Sequence, residues 1–179
     1  MIERIRPLSP STYQIGSYSV ISYPDLTPPW ALIGIVVFKR RIEPNSQDWK
    51  EPIKEDLRKL VGAWHLDVMI PVQVHGTKVI EVGLAESDLY SDGLVTSLTG
   101  KMLCVSTADC VPLLAYDTKK SVIGIAHCGW RGTLAGICRS FMRVLLDCGA
   151  SPSTSVFLLG PVSYTHLRAH ETRHDLVCR

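Results

Sequence analysis

Two cysteines and two histidines stand where a packed core has no use for them. Cys110 closes "TADC" (107–110), and seventeen residues later His127 and Cys128 fall in "AHCGWRG" (126–132), with His75 earlier in "QVHG" (73–76). Taken singly each is a weak signal, because a lone cysteine or histidine is more often structural than reactive. Taken together they support two kinds of chemistry. His75, Cys110 and His127 make a sound three-ligand set for zinc, with a fourth position left for water or substrate. Cys110 could equally act as a nucleophile with His127 as its base, the imidazole being oriented by Asp109 or a backbone group. Copper could also sit on one cysteine and two histidines, but no second ligand cluster is present for multi-copper oxygen reduction. The wide spacing does not choose between these readings. All of them need three separate segments to meet in space.

"GWRGT" (129–133) adds the means to hold an anion. Gly129 and Gly132 permit close backbone approach, and a helix expected to begin near Thr133 turns its positive end toward the loop. Arg131 could grip a phosphate or carboxylate in a bidentate fork. The alternative, Arg131 as a surface ion-pair residue and Trp130 as a core aromatic, is as consistent with the residue types.

The elements that must bring these groups together are short strands with flanking helices. "TYQIGSYSVISY" (12–23) reads as a hairpin and "ALIGIVVFK" (31–39) as a buried strand. Residues 48–64 carry apolar side chains at helical spacing, with Pro52 early. "VMIPVQVH", "KVIEV", "DGLVT", "MLCVSTAD", "VPLLAYD", "SVIGIAH" and "SVFLL" are apolar runs between turn residues. On this reading His75 and Cys110 end strands, and "DTKK" (117–120) turns a hairpin that returns His127 to the edge where Cys110 sits. Residues 133–148 predict one helix, stopped by Gly149. Cys104, Cys138 and Cys148 fall in apolar-periodic segments and read as small core hydrophobes. The pattern is α+β, a mixed-sheet α/β sandwich.

With 179 residues, the chain suits a single domain, and 46% hydrophobic with 20% charged residues is ordinary for a globular protein. A net charge of +2 without a dense Lys/Arg run gives no footprint for nucleic acid. The N-terminus lacks a signal-peptide core, and "WALIGIVVF" (30–38) is too short to span a bilayer. The expected location is the cytoplasm, where the six cysteines would be free thiols.

"QVHG", "SDGLVT", "STADCVPLL" and "AHCGWRGTLAGI", in that order and at these separations, resemble the YfiH-like family of purine nucleoside phosphorylases, also called laccase-domain or polyphenol oxidase proteins. The resemblance covers roughly residues 70–161. It implies a fold similar to that of cysteine deamidase toxins. It also implies zinc on His75, Cys110 and His127, with purine nucleosides and phosphate as substrates. The implied reactions are phosphorolysis of adenosine, inosine, guanosine and methylthioadenosine, and deamination of adenosine. Arg131, Gly129, Gly132 and Gln73 are the expected substrate and phosphate contacts, and Asp109 the expected ligand-orienting or proton-carrying group. Cys128 stands where the family usually has alanine, and the family's N-terminal arginine and paired-glycine motif is not recognisable in residues 10–40. No glutamate stands in an H-x-E motif, as it does in zinc deaminases.

The family pattern breaks off after Gly160-Pro161. Residues 162–179 place His166, His170 and His174 four apart, a spacing that can bind zinc on a helix. The segment has no apolar face to dock, and it resembles a translated sequencing adapter. It is expected to be a disordered, non-native tail on a C-terminally truncated domain spanning residues 1–161. An inactive fragment that binds nucleoside or metal is the corresponding alternative.

Overall fold

The computed structural model describes residues 11–15, 18–22, 31, 33–38, 50–83 and 90–160. The tail after residue 160 and its three histidines lie outside the described residues. The chain divides into two compact units, Met1–Trp64 and His65–Arg179.

In the first unit, β1 (Ser11–Ile15), β2 (Tyr18–Ser22) and β3 (Gly34–Phe38) form an antiparallel sheet in that order. These are the hairpin and the strand that the turn-bounded apolar runs predict. Helix α1 (Lys50–Val61) follows, with Pro52 in its first turn, where a missing N–H leaves no helical bond broken. Lys54 pairs with Glu51 at 2.6 Å and Lys59 with Glu55 at 2.7 Å along its exposed side.

The second unit holds the chemistry. Its strands are β4 (Asp67–Met69), β5 (Val79–Glu81), β6 (Gly93–Thr96), β7 (Lys101–Leu103), β8 (Val111–Asp117), β9 (Ile123–Cys128) and β10 (Ser155–Leu159). Five of them form one mixed sheet, ordered β10-β8-β9-β6-β5, in which only the β5–β6 pair is parallel. β4 and β7 make a separate parallel pair. Strand alternation sorts side chains into two clusters. Val95, Leu113, Ala115, Ala126 and Cys128 pack with Ile137, Phe141 and Leu145 of helix α3 (Ile137–Asp147). Leu94 and the partly buried Ile125 pack instead with Met69, Val82 and Leu103. On β9, therefore, Cys128 belongs to the helix-covered core, while the intervening His127 takes the alternate side.

Three local expectations change. The helix expected over 133–148 is two helices, α2 (Trp130–Ala135) and α3, because Gly136 adopts φ 101° and breaks the run. The predicted stop at Gly149 holds, with φ 93°. His75 and Cys110 do not end strands. Pairing of β4 stops at Met69, before the donorless Pro71, and leaves His75 on a loop. β7 stops at Leu103, so residues 104–110 form a second loop, and Cys110 immediately precedes β8. Cys138 is exposed rather than core, since Ile137, Phe141 and Leu145 set the buried stripe of α3; Cys104 and Cys148 are partly buried.

One buried carboxylate ties the β8–β9 turn to the end of α3. Asp117 accepts hydrogen bonds from the Lys119 and Lys120 N–H groups at 2.8 and 2.9 Å, from Ser151 N–H at 2.8 Å and from Thr154 Oγ1 at 2.7 Å. Burial pushes its pKa up, but those four donors pull it further down, well below the usual carboxylate range. A carboxyl with a depressed folded-state pKa contributes stability above its unfolded pKa of about 4, and loses it as pH falls toward the folded value. Urea unfolding should therefore show Asp117→Ala less stable by roughly 3 kcal/mol at neutral pH, with the gap to wild type narrowing below about pH 4. A gap that stays constant down to pH 2 would contradict this role.

Candidate metal centre

The β8–β9 hairpin is the first device that assembles the site. Its antiparallel register pairs Val111 with Cys128 and Pro112 with His127, so Cys110 comes in just beyond the end of β9. The second device is a side chain. Gln73 donates from Nε2 to the Ser106 carbonyl at 2.8 Å and accepts from the Ser106 N–H at 2.7 Å, which clamps the His75 loop to the Cys110 loop. The amide thus replaces the strand pairing that neither loop makes. Both ends of the Gln73 amide are engaged with the protein, and each keeps one further hydrogen-bonding position.

The result is convergence. One ligand atom each from His75, Cys110 and His127 lies within 4.8 Å of the others. The two imidazoles meet edge to face, with centroids 4.8 Å apart and planes at 87°. His127 is buried at 3% exposure, Cys110 is half-buried and His75 is exposed, so the cluster opens to solvent on the His75 side. No other group of three such side chains is gathered among the described residues.

Asp92, which sequence reasoning missed, stands behind the cluster. Its Oδ1 is 2.9 Å from His127 Nδ1, and it also accepts hydrogen bonds from the Val74, His75 and Gly76 N–H groups. Burial pushes its pKa up, but the bonds from His127 and the three amides outweigh that and hold the carboxyl below its ordinary value. With an ionised carboxylate on Nδ1, that nitrogen carries the proton and Nε2 keeps a lone pair for a metal. The only signal in the sequence was the "SDG" that precedes β6. Its aspartate offers a side chain to a loop sixteen to eighteen residues earlier.

The glycines of "GWRG" serve packing. A Cβ on Gly129 would lie 3.1 Å from His75 Cδ2 and 3.3 Å from Cys110 Sγ. A Cβ on Gly132 would lie 2.5 Å from the Gly76 carbonyl oxygen. The close approach they allow is therefore to the ligand loops of the protein itself. Arg131 sits in the first turn of α2, which starts at Trp130 and not near Thr133. Its guanidinium carbon is 5.2 Å from the Trp130 ring centroid, and that ring is 52% exposed where a core aromatic was an open alternative. Asp109 is exposed beside the cluster. Burial first, and then the charges of Asp109 and Asp92, push the Cys110 thiol up and away from its thiolate form. A cation among these three side chains would reverse that balance. Cys128 is pushed up to about 12 by burial and the neighbouring Cys138 thiol, as suits an inert core residue.

Two imidazoles, one thiol, a carboxylate-fixed tautomer and an open side fit a single transition-metal ion in a catalytic arrangement. Fold and site together define a mixed α/β protein with a cluster of three side chains able to hold a metal ion, gathered where β8 begins and β9 ends. The chain belongs to the family described as multi-copper polyphenol oxidoreductase laccase, which matches residues 41–166. It is 40% identical over 132 residues to a purine nucleoside phosphorylase of Bacteroides thetaiotaomicron, a match covering 66% of this chain and 49% of that protein. It is 30% identical over 135 residues to adenosine deaminase RL5 from an unknown prokaryotic organism, covering 63% and 52% respectively. Among solved structures it is similar to YlmD from Geobacillus stearothermophilus, with a TM-score of 0.54, 27% identity and coverage of 61% of this chain and 44% of that one. The chain thus spans about half the length of these relatives. The second ligand cluster that multi-copper oxygen chemistry needs is not found among the described residues.

Proposed function

We propose that this chain carries the metal centre of a zinc-dependent purine nucleoside phosphorylase that also deaminates adenosine. The observation behind this reading is the convergence of His75, Cys110 and His127 on one point, with Asp92 fixing His127. The two curated relatives named above supply the two reactions by name. Zinc suits this donor set better than copper, because a lone ion with one open position is a Lewis-acid site. When bound, it would polarise a substrate group or lower the pKa of a water to about 7.

The chain's own residues do the rest. In phosphorolysis a phosphate oxygen attacks the ribose C1′ as the bond from C1′ to the purine nitrogen breaks. The base leaves with a proton, and ribose 1-phosphate remains. Arg131, an exposed guanidinium in the first turn of α2 and four residues after His127 in the chain, holds the phosphate. Asp109, exposed next to Cys110, orients a substrate or carries a proton. Substrates are purine nucleosides and phosphate. No helix among the described residues is long and apolar enough to cross a membrane, and free thiols agree with a cytoplasmic setting.

The test is adenine release from adenosine, followed chromatographically with and without phosphate. Release should require phosphate. Arg131→Ala should raise the KM for phosphate by about 10-fold or more, as expected when a charge-assisted contact is lost. Release at the same rate without phosphate would exclude phosphorolysis, and an unchanged KM would remove Arg131 from the phosphate site.

A further inference from the structure

Four donors from two separate segments, residues 74–76 and His127, meet on one carboxylate. Asp92 is fully buried immediately before β6. Oδ1 accepts from the His75 N–H at 2.9 Å and faces His127 Nδ1 at 2.9 Å. Oδ2 accepts from the Gly76 N–H at 2.7 Å and the Val74 N–H at 3.2 Å. The Asp92 carbonyl also accepts the His127 backbone N–H at 2.7 Å, and its own N–H donates to the Lys78 carbonyl at 2.9 Å. Its backbone is therefore fixed on both sides before its side chain does anything.

We propose that Asp92 is the positioning residue of the metal centre, setting both histidine ligands from one carboxylate. The inference rests on reading His75, Cys110 and His127 as metal ligands. It assigns to Asp92 the pre-organisation of that set in the metal-free protein. Toward His127 the action is direct: the proton is held on Nδ1, leaving Nε2 bare and the ring fixed in direction. Toward His75 it runs through the backbone. His75 is the one residue other than glycine with positive φ among those described, at 59°. That conformation is uncommon for a residue with a Cβ and persists where its surroundings hold it. Three successive N–H groups, from Val74 to Gly76, point at one anion, a concave backbone arrangement made for a negative charge. Without that charge the three N–H groups around His75 lose the acceptor that holds them in this conformation.

Only a carboxylate satisfies all four donors. Asparagine is nearly the same shape but has one acceptor oxygen and an NH₂ group. Placed with its oxygen toward His127 and His75, it sets that NH₂ against the Val74 and Gly76 N–H groups. Flipped, it sets the NH₂ against the His75 N–H and His127. Asp92→Asn should thus lose one ligand or the other, and behave nearly as badly as Asp92→Ala. Removing a carboxylate partner of one ligand histidine lowers metal affinity about 10- to 100-fold. Because Asp92 acts on two, the expected loss is at the upper end, about 100-fold.

Zinc affinity is measured on the full chain by competition with a chromophoric chelator, for wild type, Asp92→Asn, Asp92→Ala and Leu94→Ala. Leu94 is buried two residues further along and packs with Met69 and Val82, so its truncation reports general destabilisation. Both Asp92 variants should bind zinc about 100-fold more weakly than wild type, and Leu94→Ala within about threefold. Asp92 variants that bind as tightly as wild type overturn this proposal alone; wild-type protein that takes up no zinc overturns the ligand assignment beneath it as well. Should the variants not fold, long-range imidazole nitrogen correlations on metal-free wild-type protein decide the matter. The proton of neutral His127 is expected on Nδ1, and its finding on Nε2 overturns the proposal.

Discussion

Replacing His127 by alanine should empty the metal centre while leaving the fold in place. His127 is the buried member of the ligand set, so its loss removes the imidazole whose direction is fixed by a hydrogen bond. Asp92 still has the Val74, His75 and Gly76 amides as donors, so the substitution leaves no buried charge without a partner. What remains for zinc is His75 and Cys110, two ligands where catalytic sites use three. Metal content in the purified variant should fall to background. Phosphate-dependent adenine release should fall by on the order of 10³-fold or more, since an activated nucleophile or polarised substrate group is lost with the ion. Circular dichroism and urea unfolding should show a folded protein. The metal-free alternative, Cys110 as nucleophile with His127 as base, also predicts an inactive variant, but it predicts no change in metal content. Parallel elemental analysis of the two proteins therefore separates the readings.

Gly132→Ala should be damaging despite being a favourable change by helix propensity. An alanine in a helix interior is worth about 1 kcal/mol over glycine, and α2 would gain that if the space were open. The space is occupied: the new Cβ would stand 2.5 Å from the carbonyl oxygen of Gly76. A backbone carbonyl cannot swing aside as a side chain does, and the Gly76 N–H is already held by Asp92. Either α2 or the 75–76 loop must move, which separates His75 from the rest of the cluster. Overpacking of this kind costs roughly 1–3 kcal/mol, and against a clash with backbone the upper end applies, so the net effect should be destabilising by about 2 kcal/mol. Zinc affinity should fall by about 10-fold or more, because the strain falls on a ligand loop. Urea unfolding and chelator competition on the same preparation measure both effects. A variant more stable than wild type would mean that the Gly76 carbonyl does not exclude a side chain at position 132.

How far the sequence led depended on whether the signal was local. The apolar runs and turn residues were sufficient to place most strands of the second unit, and "DTKK" correctly joins β8 to β9. That hairpin brings His127 back beside Cys110, as its length implied. Strand alternation accounts for Cys128, which follows His127 yet belongs with α3. The misplaced features are those in which a long-range partner replaced a local one. Gln73 and Ser106 pair side chain to backbone, so two apolar stretches that read as strands run on as loops. Gly136 looked like an ordinary helix position because the apolar spacing continues across it, and only its φ of 101° reveals the break. Asp92 was invisible for the same reason, since its four donors come from residues 74–76 and 127. No period or spacing in the sequence joins those positions. The glycines of "GWRG" signal a close approach without saying to what, and the atoms nearest to Gly129 and Gly132 belong to the His75–Gly76 loop and Cys110.

On the proposed function, His75, Cys110 and His127 hold one metal ion on which purine chemistry depends. The most direct test is elemental analysis of the purified full chain, before and after chelation, with adenine release measured on the same samples. About one zinc per chain is expected, in line with a three-ligand cluster. Activity should vanish with chelation and return when zinc is restored. Metal-free protein that splits adenosine at the full rate, and is inactivated by a thiol alkylator, would contradict it.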